Sequence, residues 1–154
     1  MRADKLPRPG ECNCFAIRAA ARHVTQAYDQ FLAPTGLRTT QFSILAKLKR
    51  RGPLTINTLA ADMVMDRTTL GRNILPLERD GLIRITPSAA DRRAKELHLS
   101  KAGEKRFEAA RKKWSEAQAR FETVFGAERG ADLRTLLRAV VSSEFAASDG
   151  PAAG

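Results

Sequence analysis

Apolar residues recur at helical spacing in two neighbouring segments near the middle of the chain. The first segment has an apolar face made of Ile56, Leu59, Ala60 and Met63, and the second has one made of Leu70, Ile74 and Leu77. Asp66 stands directly before the second segment, where its carboxylate can accept hydrogen bonds from the free N–H groups of a helix. Gly81 follows that segment, where a left-handed cap is common. The pattern predicts a short helix, a tight turn and a second helix over residues 67–80.

Two segments after these helices alternate apolar and polar residues, as half-buried strands do. They cover residues 82–86 and 95–99, and Asp91, Arg92 and Arg93 form the tip of the predicted hairpin. A helix, a turn, a helix and a basic hairpin make a winged helix-turn-helix, which places its second helix in the DNA major groove. The predicted fold class is mainly α with a small β-hairpin wing.

Three further apolar stripes flank this region and predict a dimer. The first stripe is Ile17, Ala20, Ala21, Val24, Tyr28 and Phe31. The second alternates spacings of three and four, like a coiled coil, through Phe107, Ala110, Trp114, Ala117, Phe121 and Val124. The third is Leu133, Leu136, Leu137, Val140 and Val141. The core of one subunit can absorb one or two stripes, so we expect the rest, Trp114 and Phe121 included, to be buried in a two-fold interface. That symmetry suits a palindrome, whose paired recognition helices lie about 34 Å apart.

We expect a single domain over residues 1–154. The DNA-binding lobe would cover residues 38–99, and the dimerisation helices residues 11–33 and 100–146. Residues 1–10 and 147–154 are rich in Pro, Gly or small side chains and are expected to be flexible.

The charge of the chain favours a polyanionic partner. Its 154 residues include 27 Lys and Arg against 17 Asp and Glu, a formal net charge of +10. Such a chain gains affinity for DNA because neutralising phosphates releases condensed counterions. The sequence has no apolar run of the roughly 20 residues that a membrane helix needs and no signal-peptide pattern. We therefore expect a cytoplasmic, nucleoid-associated protein without membrane contact.

The chain resembles the MarR family of bacterial regulators over nearly its whole length. The matching segments are Leu59-Ala60, residues 66–70, residues 77–83, Asp91-Arg92-Arg93 and residues 99–103. The resemblance implies a homodimer of winged-helix lobes that binds pseudo-palindromic, double-stranded promoter DNA and usually represses. It also implies release of the DNA by a small molecule or an oxidant.

Candidate DNA contacts follow from the position of the cap. With Asp66 as N-cap, the first helical turn carries Arg67, Thr68 and Thr69, and the second carries Arg72 and Asn73. Arg72 suits a guanine, and Asn73 an adenine or a phosphate. Pro76 removes a helical hydrogen bond to Arg72 and should bend the helix axis.

The wing offers a second set of contacts. Arg92 and Arg93 suit a narrow minor groove, where the negative potential favours guanidinium groups. Lys95 adds a cation at the base of the wing. The resemblance implies that Asp91 orients the wing arginine rather than touching DNA.

The effector is predicted in two alternative ways. In the first, which the resemblance implies, an aromatic or phenolic ligand, or its thioester, binds between the dimer helices and the lobe. There Arg18, Arg22, His23 and Arg38 could pair with a carboxylate or phosphate. In the second, the segment from Cys14 to Arg22 is similar to the organic-hydroperoxide-sensing branch of the family.

That branch has a peroxide-reactive cysteine at the position of Cys14 and a supporting tyrosine at that of Tyr28. If Asn13 caps the helix, Cys14 lies in its first turn, where the helix dipole favours thiolate. Cys12 would serve at most as a nearby second thiol. Arg18 stands where the branch has another tyrosine, and the segment Thr39-Thr40-Gln41-Phe42 replaces two more, so we favour the ligand. The alternative for Cys14 is a small buried hydrophobe.

Other classes of function find little support. A zinc site from Cys12, Cys14, His23 and His98 lacks tight ligand spacing, so no metal and no cofactor are expected. There is no Gly-rich phosphate loop, paired-carboxylate motif or nucleophile elbow, so we expect no enzyme. An architectural DNA-binding protein without sequence preference remains the alternative to a specific regulator.

Overall fold

The computed structural model describes residues 8–145 of the chain. The helices are α1 (Asn13–Leu32), α2 (Thr39–Arg51), α3 (Ile56–Asp62), α4 (Arg67–Arg79), α5 (Lys101–Phe125) and α6 (Ala127–Ser142). The strands are β1 (Leu54–Thr55), β2 (Ile83–Pro87) and β3 (Lys95–Leu99). Short 3-10 turns occupy Pro9–Glu11 and Ala33–Thr35. Apart from residues 8–10, the ends expected to be flexible lie almost wholly outside the described residues.

The three strands form one antiparallel sheet in the order β1-β3-β2. In the hairpin, Ile85 stands opposite Leu97, and on the other side of β3 Leu54 also stands opposite Leu97. The predicted winged helix and its mainly helical class are confirmed. The strand β1 was not predicted, because two residues are too short to show an alternating pattern.

The core of the lobe is built around the apolar stripe of α4. Leu70, Ile74 and Leu77 are each at most 2% exposed. They belong to a cluster that also takes residues from α1, α2, α3, the strands and the first half of α5. Because these three side chains are buried, the opposite side of α4 faces outward.

The first half of α5 belongs to this core. The ring of Phe42 on α2 stacks with that of Phe107 at 5.4 Å between centroids and with that of Trp114 at 6.0 Å. Trp114 is half-buried against the core of its own chain. The expectation that Trp114 needs a second subunit for contact with apolar groups was therefore wrong, because the first half of its stripe, from Phe107 to Trp114, packs inside one chain.

The caps of two helices were predicted, one correctly. Asp66 caps α4, where its Oδ1 accepts from the backbone N–H of Thr69 at 2.8 Å and its Oδ2 from the Thr69 hydroxyl at 2.7 Å. These bonds, the backbone one first, lower the pKa of Asp66, so the cap stays charged at neutral pH and is lost only as the pH falls below the usual Asp range. Helix α1 is capped by Cys12 and not by Asn13, because the Cys12 Sγ accepts from the N–H of Phe15 at 3.3 Å.

The chain divides into two compact units after Ser115. In the second unit, the rings of Phe121 and Phe125 lie 5.3 Å apart, and the Arg129 guanidinium lies 4.3 Å from the centre of the Phe125 ring. Four members of the apolar stripe of α6 are exposed in the single chain, namely Leu136, Leu137, Val140 and Val141. Among the described residues no helix is long and apolar enough to cross a membrane.

Gly103 provides a test of the packing between α5 and the sheet. A Cβ atom at this position would overlap the backbone carbonyl oxygen of Leu82 and lie 2.7 Å from Leu99 Cδ1. We expect Gly103→Ala to lower the free energy of unfolding by about 1–3 kcal/mol, measured by urea denaturation. Gly71→Ala is the matched control, since a Cβ there meets nothing within 4 Å. It should raise stability by up to about 1 kcal/mol, because alanine favours a helix. Equal effects of the two substitutions would contradict this packing.

Candidate nucleic-acid interface

The outward side of α4 carries the residues predicted to read DNA. Arg67, Thr68, Thr69 and Arg72 are exposed, and Asn73 is half-buried. At 100° per residue, Thr68, Arg72, Leu75 and Arg79 form one stripe opposite the buried face. The helix continues through Pro76 to Arg79. This surface therefore presents polar and cationic groups from its first three turns.

Two of the predicted reading groups already bond within α4. The Thr69 hydroxyl donates to Asp66, so it can meet DNA only as an acceptor. The Asn73 side-chain amide donates to the carbonyl of Thr69 at 2.9 Å. Within residues 8–145, these bonds leave Arg72 as the exposed side chain of the second turn whose donors are all available for a base edge. The sequence alone does not reveal such internal bonds.

The tip of the wing is ordered by its own hydrogen bonds. The Ser88 N–H donates to the carbonyl of Ala94 at 2.8 Å, and the Ala94 N–H to that of Asp91 at 3.0 Å. The Asp91 carboxylate accepts from the backbone N–H of Arg93 at 3.0 Å. Asp91 thus fixes the backbone of the tip, where Arg92 and Arg93 are exposed.

A cleft of about 530 Å³ lies between the wing and the first residues of α3 and α4. Its lining consists of Thr55, Ile56, Asn57, Arg67, Asp91, Arg93, Ala94 and Lys95. Three cationic side chains meet one carboxylate here, and Asp91 already accepts the Arg93 N–H. The structure therefore brings together three predicted DNA contacts from two different elements, and the cleft is electropositive. Arg92 is not among the lining residues.

The candidate effector residues are more dispersed. Arg18, Arg22 and His23 are exposed along α1. Arg38 lines a second cleft of about 540 Å³, together with Gln26, Asp29, Gln30, Ala33, Gly36 and Leu37. The carboxylate of Asp29 accepts from both the N–H and the hydroxyl of Thr39, each at 2.7 Å. In the single chain, only Arg38 of the four predicted ligand-binding residues reaches this cleft.

The candidate thiols lie at the start of α1. Cys12 and Cys14 are free, and both are exposed in the single chain, so the core of one subunit does not bury Cys14. Tyr28 is half-buried near the other end of the helix. His98, the distant member of the rejected zinc set, places its Nε2 3.0 Å from the Glu96 carboxylate and 3.0 Å from the Thr86 hydroxyl. Among the described residues no group of three or more His, Cys, Asp or Glu is arranged to hold a metal.

The fold and this surface define a winged helix-turn-helix DNA-binding protein. Known proteins that are similar to this chain belong to the same class. A sequence model described as "MarR family" matches residues 37–95. The chain is 34% identical to the crystal structure of the M. tuberculosis transcriptional regulator MosR, covering 88% of this chain and 100% of that one with a TM-score of 0.75. The crystal structure of MosR in complex with DNA is also similar. Its chain is 38% identical, with 85% of this chain and 97% of that one covered and a TM-score of 0.74.

Two further proteins are similar over different lengths. The Bacillus subtilis regulator YwoH is 30% identical over 92 residues, 60% of this chain and 66% of that protein. The structure of Rhodococcus jostii CouR bound to p-coumaroyl-CoA shares the fold at 20% identity, with 92% and 99% coverage and a TM-score of 0.75. The chain belongs to the MarR family of transcriptional regulators, which are non-enzymatic DNA-binding proteins. The predictions of the family, of DNA binding and of a protein that is not an enzyme are confirmed.

Proposed function

We propose that this regulator is a homodimeric repressor that binds a pseudo-palindromic promoter site. In each half-site α4 enters the major groove and the wing enters the adjacent minor groove. The observation that carries this proposal is the convergence of Arg67, Arg93 and Lys95 on one cleft between α4 and the wing.

The cleft fits a strand of the DNA backbone. A major groove and the neighbouring minor groove are separated by one sugar-phosphate strand. When α4 occupies one groove and the wing the other, that strand must pass between them, where the cationic cleft lies. Contacts of this kind position the protein and supply salt-dependent affinity, whereas base edges supply specificity. The cleft and the Arg72 stripe would therefore divide the two tasks.

Dimerisation would bury the apolar faces that the single chain leaves exposed. Phe15 and Ile17 of α1 are 54% and 41% exposed, and Leu136 and Val141 of α6 are 66% and 61% exposed. Burying such a side chain contributes about 1.5–3 kcal/mol. Several of them on each subunit supply enough apolar surface for a stable pair.

The effector we favour is a small aromatic or phenolic compound, or its thioester. Arg38 beside the second cleft offers a cation for a carboxylate or phosphate. The p-coumaroyl-CoA bound to CouR is a thioester of this chemistry in a protein of the same fold. Arg18, Arg22 and His23 would join such a site only when the dimer forms.

Sensing of an organic hydroperoxide is the second candidate, and the exposed thiols of Cys12 and Cys14 favour it. A thiolate takes one oxygen from the hydroperoxide, giving a sulfenic acid and an alcohol. The second thiol can then condense with the sulfenic acid to a disulfide, with loss of water. Because Cys12 caps α1, either product would alter the start of that helix.

Substitutions in the two parts of the interface should have different effects. Arg72→Ala should weaken binding to the best duplex selected from a random DNA pool by about 1–3 kcal/mol and relax preference at one position per half-site. Lys95→Ala should weaken all sequences alike and lower the salt slope by about one phosphate-equivalent per subunit. Titrations at several fixed salt concentrations measure both. Equal affinity of the wild type for selected and random DNA would instead indicate an architectural protein, and unchanged discrimination in Arg72→Ala would exclude direct reading by α4.

The oligomeric state tests the two-fold interface. We expect a dimer that persists to low-nanomolar protein concentration, because the exposed apolar faces of α1 and α6 would otherwise remain in water. Leu136→Glu should favour the monomer by placing a charge in the interface, whereas Glu128→Gln, near the start of the same helix, should not. Sedimentation velocity measures the distribution. A wild type that is monomeric at micromolar concentration would overturn both the interface and the palindromic site.

The two effectors can be separated with serine variants of both cysteines. Serine at Cys12 can still accept from the Phe15 N–H, so α1 should keep its cap. If an aromatic compound is the effector, cumene hydroperoxide should leave DNA binding intact in the wild type and in both variants. If a thiol is the sensor, the hydroperoxide should release DNA from the wild type but not from Cys14→Ser, and Cys12→Ser should at most alter recovery. Mobility-shift titration with and without hydroperoxide decides between them, and release that depends on Cys14 would contradict our preference.

A further inference from the structure

Exposed apolar side chains in the DNA-binding lobe are concentrated in the helix-turn-helix. Within the described residues 38–99, the large apolar side chains that remain exposed are Val64, at 71%, and Leu75, at 63%. Val64 lies in the turn before α4 and has a positive φ of 51°. Leu75 lies on α4 itself. The other large exposed apolar side chains belong to α1, to the end of α5, and to α6 and the residues after it.

A single exposed leucine is ordinary on a protein surface. Its position sets Leu75 apart, because it shares the outward stripe of α4 with Thr68 and Arg72. With a rise of about 1.5 Å per residue, Leu75 follows Arg72 by about 4.5 Å along the helix. This distance is little more than one base-pair step of about 3.4 Å. Whatever the tilt of α4 in the major groove, the projection of this distance on the DNA axis is no longer than that. The two side chains would therefore meet base edges within about two base pairs of each other.

The surroundings of Leu75 favour DNA as its partner. The next residue of the stripe is Arg79, and the electropositive cleft lies beside the start of the same helix. A helix face with cations on both sides of one leucine is complementary to a polyanion. In the major groove, the apolar group at a base edge is the C5-methyl of thymine.

We propose that Leu75 contacts the C5-methyl group of a thymine in each half-site, within about two base pairs of the base read by Arg72. The inference rests on the proposed entry of α4 into the major groove. Leu75 thus contributes an apolar contact to the sequence preference. The polar residues beside it on the stripe do not supply such a contact. It would discriminate thymine from cytosine, which presents no methyl group at that position.

Deoxyuridine provides the test, since it differs from thymidine only by this methyl group. In the best duplex selected from a random pool by the wild type, each thymidine is replaced in turn, symmetrically in both half-sites. The wild type should lose affinity about fourfold per half-site at one thymidine position, the factor given by about 0.8 kcal/mol for one buried carbon. Leu75→Ala should bind the unmodified duplex more weakly and show no further loss at that position. Alanine suits an exposed helical site, so the variant should fold.

Two comparisons make the result specific. Val64→Ala truncates the other exposed apolar side chain of the lobe and should retain the wild-type loss at the same thymidine. Arg72→Ala reports separately on whether α4 reads bases. The inference is overturned if no thymidine near the Arg72-dependent position shows the methyl effect, or if Leu75→Ala retains it in full, as it would if Leu75 served a protein partner or an effector. If the inference is overturned but Arg72→Ala still relaxes specificity, only the role of Leu75 is excluded. If Arg72→Ala leaves specificity unchanged as well, the proposed entry of α4 into the major groove is excluded too.

Discussion

The burial of three side chains on one side of α4 is the constraint on which the DNA-binding surface depends. Leu70, Ile74 and Leu77 are fully buried, and truncating any of them would leave a cavity costing about 2–5 kcal/mol. This packing fixes the rotation of α4 about its own axis. The outward direction of Thr68 and Arg72 follows from it, since helical geometry leaves them no other side.

The position of the wing depends on a second set of contacts. Strand β3 lies between β1 and β2, with Leu97 opposite both Leu54 and Ile85. The β1 strand precedes α3 directly, so the sheet and the helix-turn-helix share a segment of backbone. Ser100, which lies between β3 and α5, is joined to the turn between α4 and β2, because its hydroxyl donates to the Gly81 carbonyl at 2.6 Å. The cleft between α4 and the wing is thus bounded by elements joined through one hydrogen-bonded framework.

Much of the lobe could be predicted from the sequence, since the apolar periodicity of α3 and α4 and the alternation of β2 and β3 are local signals. The Asp66 cap and the positive φ of Gly81, 71°, are local as well. The periodicity of apolar residues does not show which surface an apolar stripe packs against, one in its own chain or one in a partner. Trp114 has the spacing of an interface residue, yet it stacks on Phe42 within its own chain.

The functional residues could likewise be predicted by type and position, but not their contacts with one another. Residue type and position predicted DNA contacts for Arg67, Arg93 and Lys95, and the structure adds that they share one cleft. The sequence could not show that the Asn73 amide already bonds Thr69, because Asn suits either a base or its own helix. Nor could it choose Cys12 over Asn13 as the cap of α1, since asparagine is the commoner capping residue.

The arrangement of charge bears on how affinity and specificity arise. With a net charge of +10, the chain is attracted to any DNA. Sequence preference must therefore come from groups whose energy changes with the base pair. In the proposed complex, Arg67 in the cleft would face phosphates, which are alike along the duplex. In the same complex Arg72 and Leu75 would meet base edges, which differ between base pairs. Arg72 would meet them through hydrogen-bond donors and Leu75 through apolar contact. Of these contacts only the apolar one is insensitive to salt, because no counterion is released when two apolar groups meet. A regulator built in this way keeps part of its discrimination when rising salt removes most of its affinity.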